Sequence, residues 1–339
     1  MKRHCARRQF LETAGRAMVL SAISGGGRLA SDERTVSQQD PAYRSGRTSL
    51  CQRTPPPGKP LPARKSDTGI RISENRAERV ITYIADAARL KGGDLALCSE
   101  YGRIEIMDSD DGEVRLQIRC TAEESKGIED TDVRAHLTAD NGTLRVAVWQ
   151  ATQGFAPQYS PCSVNIRLQV PLTGPYRLDA LANHGCVGVH RLTLAGCKLR
   201  GLVGTKLKGI KGYQGGHDLN DVVLSGDLDV ATEAPRGFGD AWIHGVLSAI
   251  ASCKVLARTN EGNIRLSFSP DSRTGLDAVG RSDTGKVALL GNYEDPNITP
   301  VLQDGNGMRR KSKGYESKPV CVEVTATSAL SNVTVLGFE

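Results

Sequence analysis

Aromatic residues are scarce: five Phe, eight Tyr and two Trp make up 4% of 339 residues. This argues against a large enclosed ligand pocket, whose walls are normally rich in aromatic rings. It leaves a narrow core of Val, Leu and Ile. The nine cysteines (5, 51, 98, 120, 162, 186, 197, 253 and 321) include no Cys-x-x-Cys pair. Zinc-type spacing is therefore absent, and no metal or cofactor is expected. An odd number leaves at least one thiol unpaired unless Cys5 departs with a leader. Cys186 and Cys197 are near enough in sequence to bridge adjacent turns, but strand cysteines are expected as buried thiols. No apolar run is long enough to span a bilayer. No glycine-rich loop joins a strand to a helix as a phosphate cradle requires, since Gly25-Gly26-Gly27 falls in the leader-like N-terminus.

Charge is also thin where a nucleic-acid binder would need it. The net charge is +6, but Lys2, Arg3, Arg7, Arg8, Arg16 and Arg28 against the single acid Glu12 place +5 of it in residues 1–30. The remaining chain is close to neutral, so no global field draws in nucleic acid. The cluster Arg309-Arg310-Lys311-Ser312-Lys313 reads as a solvated loop between glycines, with a local anion patch as the alternative.

What the chain does have is glycine, 37 residues of it, in a returning phrase. His184-Gly185-Cys186-Val187-Gly188-Val189, Ser225-Gly226-Asp227-Leu228-Asp229-Val230, Glu261-Gly262-Asn263-Ile264-Arg265-Leu266 and Thr284-Gly285-Lys286-Val287-Ala288-Leu289 share one form. Gly204–Leu207 and His244–Leu247 are weaker copies. With them, the phrase recurs at roughly 20-residue steps, the scale of stacked β coils. Each copy supplies a strand with alternate inward side chains, and its glycine is expected to permit the tight corner. One coil cannot bury its apolar face alone, so neighbours must stack.

In chain order, Arg7-Arg8-Gln9-Phe10-Leu11 resembles a twin-arginine export motif, and Ala17–Ile23 supplies a short apolar run. Residues 1–30 are expected to be an export signal with Arg7, Arg8, Phe10 and Leu11 as its targeting residues. Residues 31–76, with Thr54-Pro55-Pro56-Pro57, are expected to be a disordered Pro-rich linker. Val80–Ile84 favours a strand over a helix. Alternation at Ile104/Ile106, Val114/Leu116/Ile118, Leu144/Val146/Val148 and Val164/Ile166/Leu168/Val170 marks half-buried strands. Residues 77–175 are thus expected to be a sandwich-like antiparallel β region, and 176–339 a β-solenoid. The segment 292–318 loosens, and Val320–Val324 and Val333–Leu336 close the last coil. The expected class is all-β, with β-solenoid or β-helix-like repeats after a short sandwich-like region and a disordered N-terminus.

This layout resembles a family of bacterial adhesin-like proteins of unknown function, related to auto-transporter adhesin-head β-solenoids. Tyr101–Ile106 is similar to the family's opening strand, Val164–Pro171 to its strand ending in Val-Pro, and Gly226–Val230 and Gly262–Leu266 to its recurring turn. The resemblance covers roughly 94–290 and departs at 231–260, where the repeat is stretched and helix-ambiguous. It implies no catalytic residues.

Candidate chemistry is sparse. The turn Asp108-Ser109-Asp110-Asp111-Gly112 places glycine at the fifth position and no glutamate at the twelfth, which reads as a hairpin rather than a calcium loop. His184, His190, His217 and His244 are too dispersed for a ligand set and are expected at satisfied or surface positions. Asp218, Asp221, Asp227 and Asp229 are the best carboxylates for a hydrolase or lyase, with Asp227 and Asp229 outward on one strand face. The leading expectation is an exported, non-enzymatic adhesin-like or structural β-solenoid at the periplasm or cell envelope, with extracellular polymers such as glycans, or surfaces, as partners. A carbohydrate-active β-helix enzyme and a polymerising cytoplasmic scaffold are the alternatives.

Overall fold

The computed structural model describes residues 54–152, 162–183, 185–202, 213–233, 239–269, 272–291 and 307–338. They are almost entirely β. The first strands are β1 (Lys59–Pro60), β2 (Ala63–Asp67), β3 (Arg71–Ser73), β4 (Arg76–Asp86), β5 (Gly93–Ser99), β6 (Ile104–Ser109) and β7 (Glu113–Ala122). A single short helix, α1 (Ser125–Glu129), precedes β8 (Thr131–Asp140), β9 (Thr143–Thr152) and β10 (Ser163–Pro171). Then come β11 (Tyr176–Asn183), β12 (Cys186–His190), β13 (Thr193–Leu202), β14 (Tyr213–Leu224), β15 (Leu228–Glu233) and β16 (Gly239–Ala249). The chain ends with β17 (Cys253–Thr259), β18 (Asn263–Phe268), β19 (Thr274–Ser282), β20 (Val287–Gly291), β21 (Met308–Lys311), β22 (Val320–Ser328) and β23 (Val333–Phe338).

Two parallel ladders organise these strands. In the first, β9, β5, β11, β13, β15, β17, β22 and β19 pair side by side. In the second the order is β10, β6, β12, β14, β16, β18, β23 and β20. Each layer is therefore one strand from each ladder, the two being consecutive in the chain. Parallel pairing demands a crossover connection between neighbours, and here the opposite ladder's strand is that connection. The stacking does not follow chain order at either end. The β5–β6 layer sits between β9–β10 and β11–β12, and the C-terminal β22–β23 layer sits between β17–β18 and β19–β20.

Period-2 alternation fills the space between the ladders with aliphatic columns. Leu95, Leu178, Cys197, Leu228, Val255 and Val324 stack in register on one side. Ile104, Val187, His217, Ile243, Ile264 and Val333 stack on the other. All are buried, and all but His217 belong to one hydrophobic cluster. Where the first ladder turns into the second, a third column is made of small residues: Ser99, Ala182, Gly201, Thr232, Thr259, Ser328 and Ser282. Its hydroxyls close corners. Thr259 Oγ1 accepts the Gly262 N–H at 3.0 Å, Ser282 Oγ accepts the Gly285 N–H at 2.8 Å, and Ser328 Oγ accepts the Ser331 N–H at 3.1 Å.

The repeated glycines answer a spacing problem more than a dihedral one. A Cβ on Gly185 would lie 1.7 Å from the Gly102 carbonyl oxygen, and one on Gly262 1.1 Å from that of Ala241. Neither residue has a positive φ. The expected role, freedom to turn, is thus corrected to close approach of stacked backbones. Gly226 performs the same service at the opposite corner, against the Ala195 carbonyl.

Four expectations change. Part of the 31–76 linker is ordered: β2 pairs with β4 antiparallel, fixed by Arg79–Asp67 at 2.6 Å. An exposed, charged strand needs no core to cover a sheet edge, and its charges discourage further pairing. The 77–175 region is not simply antiparallel. β4, β7 and β8 pair that way, but β5 and β6 run parallel to strands beyond residue 175. Residues 231–260, read as helix-ambiguous, supply β16 and β17 and the end of β15. The loosened 292–318 segment contains β21, antiparallel to β19. Residues 1–53, with the leader and much of the linker, lie outside the described residues, as do Gly204–Leu207 and His184.

Candidate functional site

The targeting residues Arg7, Arg8, Phe10 and Leu11 lie outside the described residues. The other sequence candidates are engaged in holding the stack together. Asp229 pairs with Arg200 and with Arg258, the latter at 3.1 Å. Burial opposes its ionisation, but the two guanidinium groups outweigh that and hold the carboxyl below the usual range. Asp227 Oδ1 accepts the Lys254 N–H at 2.8 Å. A general acid needs a raised pKa and a free proton, and Asp229 offers neither. Asp218 lies on the other ladder, so these carboxylates do not converge.

The remaining clusters are also internally paired. In the acidic turn, Asp108 meets Arg191 at 2.7 Å, and Asp111 accepts from the Ser109 hydroxyl at 2.6 Å and pairs with Arg115. In the basic cluster, Arg309 forks onto Asp277 at 2.9 and 2.6 Å, Arg310 lies over the Phe338 ring, and Lys311 reaches Glu316 at 2.5 Å. Among the described residues no group of three or more His, Cys, Asp or Glu is placed to hold a metal ion, and no helix is long and apolar enough to cross a membrane. Cys186 and Cys197 are not joined in a disulfide, whereas Cys98 is disulfide-bonded.

The histidines divide by face. His190 and His244 project from the outside of the second ladder, whereas His217 is fully buried in its inner column, a correction to the satisfied or surface reading. Its Nε2–H donates to the Ala231 carbonyl at 3.0 Å, and Nδ1 has no partner. Burial drives its pKa down to about 4. The signal was present: His217 stands two residues before Leu219, in phase with the inward side chains.

The outer face of the second ladder carries the most site-like arrangement. Trp242, in β16, lies opposite Gly216 of β14 and Asn263 of β18. A Cβ on Gly216 would fall 2.4 Å from the indole Cδ2, so the ring rests directly on the glycine backbone. The indole Nε1–H donates to Asp218 Oδ1 at 3.3 Å, and His244 Nδ1 lies 3.8 Å from the same oxygen. In the next row Glu105, Gly188, Asp218, His244 and Arg265 run side by side across five strands. Trp242 is half-buried, while His244, Asn263 and Arg265 are exposed. A flat aromatic surface is thus fixed in orientation and fringed by an acid, an imidazole, an amide and a guanidinium. Sequence reasoning missed it, although one of only two tryptophans at an outward strand position was the available cue. The first ladder's outer face has a second feature, a shallow depression of about 430 Å³ lined by Asp94, Arg177, Asp179, Gly196, Lys198 and Asp227.

No family model matches the sequence, and no curated protein does. Among solved structures, the chain is similar to a candidate cell adhesion protein from Clostridium sporogenes, with a TM-score of 0.44 at 10% identity over 77% of this chain and 99% of that one. It is also similar to a candidate adhesin from Bacteroides fragilis, with a TM-score of 0.25 at 11% identity over 76% and 96% of the two chains. A third, from Parabacteroides merdae, gives 0.25 at 10% identity over 79% and 98%.

Proposed function

We propose that this chain is an exported, non-enzymatic, adhesin-like β-solenoid of the cell envelope that binds glycans on the Trp242 ledge. The observation that carries the reading is the indole held flat on Gly216 and tethered to Asp218. The apolar face of a pyranose ring stacks on such a surface, and the surrounding Asp218, His244, Asn263 and Arg265 match its hydroxyls. The parallel ladder repeats outward rows at strand spacing, which suits an extended polymer. Two features support export: the Arg7-Arg8-Gln9-Phe10-Leu11 motif, and the Cys98 disulfide, a bond that persists in oxidising compartments.

Two measurements test the reading separately. Cells expressing the full chain, or its Arg7→Lys/Arg8→Lys variant, are fractionated; the intact chain is expected outside the cytoplasm and the variant within it. Retention of both removes the envelope assignment. Purified protein is then titrated against a panel of soluble cell-envelope polysaccharides. Binding that weakens at least about tenfold in Trp242→Ala, the scale of losing one stacked aromatic contact, is the expected result. Equal binding by both proteins would exclude the ledge.

A further inference from the structure

We propose that Cys120 and Cys162 close a disulfide that ties β7 to β10. Both are free thiols in this structure, and both are buried in the main hydrophobic cluster. β7 and β10 are antiparallel neighbours, with Val164 directly opposite Cys120 and Ser163 opposite Thr121. Cys162 stands just ahead of the first paired residue of β10, on the side of Val164 and Cys120. It is the diagonal neighbour of Cys120 on one face of the strand pair, near enough that each thiol perturbs the ionisation of the other.

The surroundings of the two thiols differ in the folded chain. Contact with Cys120, assisted by the Thr131 side chain and the Thr121 backbone, favours the thiolate of Cys162, while the same contact and burial disfavour that of Cys120. With a disulfide oxidant such as oxidised glutathione, one of the two thiolates forms a mixed disulfide and releases one thiol. The other cysteine then attacks the protein sulfur of that mixed disulfide and releases the second. The cysteines lose two protons and two electrons, and the oxidant's disulfide becomes two thiols. With both sulfurs buried in the fold, the exchange takes place as the chain folds, before β10 docks on β7.

The bond would clasp the end of the stack where chain order and layer order disagree. It encloses α1, β8 and β9, so β9–β10 could not peel from the β5–β6 layer without carrying β7 along.

The test uses the full chain, refolded with oxidised glutathione, then unfolded, alkylated and digested for mass spectrometry. The expected product is one linked peptide pair joining Cys120 to Cys162, both without alkyl groups. Alkylation of both residues, or linkage of either to a different cysteine, would overturn the proposal. The Cys120→Ser/Cys162→Ser chain keeps the Cys98 bond and isolates the new one. Its thermal midpoint is expected about 5 °C lower than that of the oxidised protein, the scale set by closing a loop of this size. Equal midpoints, with the bond shown to be present, would overturn the clasp.

Discussion

The β17–β18 layer and the β13–β14 layer share one backbone plan but differ in how they fill it. In the first, Thr259 closes the corner by accepting the Gly262 N–H, and Ile264 supplies the inner apolar column. In the second, Gly201 takes the place of the corner hydroxyl and His217 that of the aliphatic side chain. The imidazole and the Thr232 hydroxyl of the next layer converge on Gly201; a Cβ there would stand 3.2 Å from each. Both His217 Nδ1 and Thr232 Oγ1 are left without a hydrogen bond. The stack thus tolerates a locally polar layer, and the corner bonds resume beyond Thr232, at Thr259, Ser328 and Ser282. Regularity holds the fold, and one irregular layer gives it a titratable group.

The sharpest way to break this comparison is to alter a glycine from each layer. Gly262→Ala would thrust a methyl to within 1.1 Å of the Ala241 carbonyl oxygen, where only separation of two layers could relieve it. A loss of about 4 kcal/mol is expected in denaturant unfolding, in the range reserved for severe steric conflict. Gly196, in β13, has no atom within 4 Å of the place a methyl would take, and no positive φ. Gly196→Ala should be neutral or stabilising by up to about 1 kcal/mol, through the unfolded state. Similar losses from both would show that backbone entropy, not stacking distance, governs the repeat.

Next in size is the response to acid. His217 has a folded pKa of about 4 against 6.5 for the free side chain. Between these values the unfolded chain binds the extra proton, so stability falls as pH drops below 6.5 and the loss levels off below 4. The full effect is about 3 kcal/mol. The charged groups around the ring oppose one another, Arg200 lowering and Asp218 raising its pKa, so burial sets the sign. His217→Ile restores the column residue of Ile243 and Ile264. The difference between wild type and this variant should therefore vary across pH 4 to 6.5 and flatten above it. A constant difference would place the proton elsewhere.

The sequence made the β content, the strand alternation and several corner glycines legible, because period-2 patterns and glycine survive without knowledge of partners. It did not reveal which corner each glycine serves. Gly185, Gly262 and Gly285 mark one corner and Gly226 the other, although their phrases read alike. A finer signal was available in Ser99-x-x-Gly102, Thr259-x-x-Gly262 and Ser282-x-x-Gly285, where a small hydroxyl precedes the glycine by three. The direction of pairing was hidden for a physical reason: Leu95 and Leu97 alternate identically in parallel and antiparallel sheets. Only contacts between distant segments, such as Gly93 with Tyr176 and with Leu144, decide it. The displaced layers at both ends are invisible for the same reason. Trp242 was overlooked because its ledge depends on Gly216, a partner one layer away.

The smallest predicted difference isolates the hydroxyl column itself. Ser328 Oγ is fully buried, donates to the Gly262 carbonyl at 2.9 Å and accepts the Ser331 N–H at 3.1 Å. Ser328→Ala removes both bonds and leaves two backbone groups unsatisfied, a loss of about 2 kcal/mol in denaturant unfolding. Thr232 is equally buried in the same column, yet its hydroxyl has no partner. Thr232→Val keeps the branched shape and removes the desolvated oxygen, so stability should hold or rise by up to about 1 kcal/mol. If Thr232→Val instead costs as much as Ser328→Ala, the hydroxyl is hydrogen-bonded in solution. The layer around Gly201 and His217 would then hold a bridging water that gives the Thr232 hydroxyl its partner.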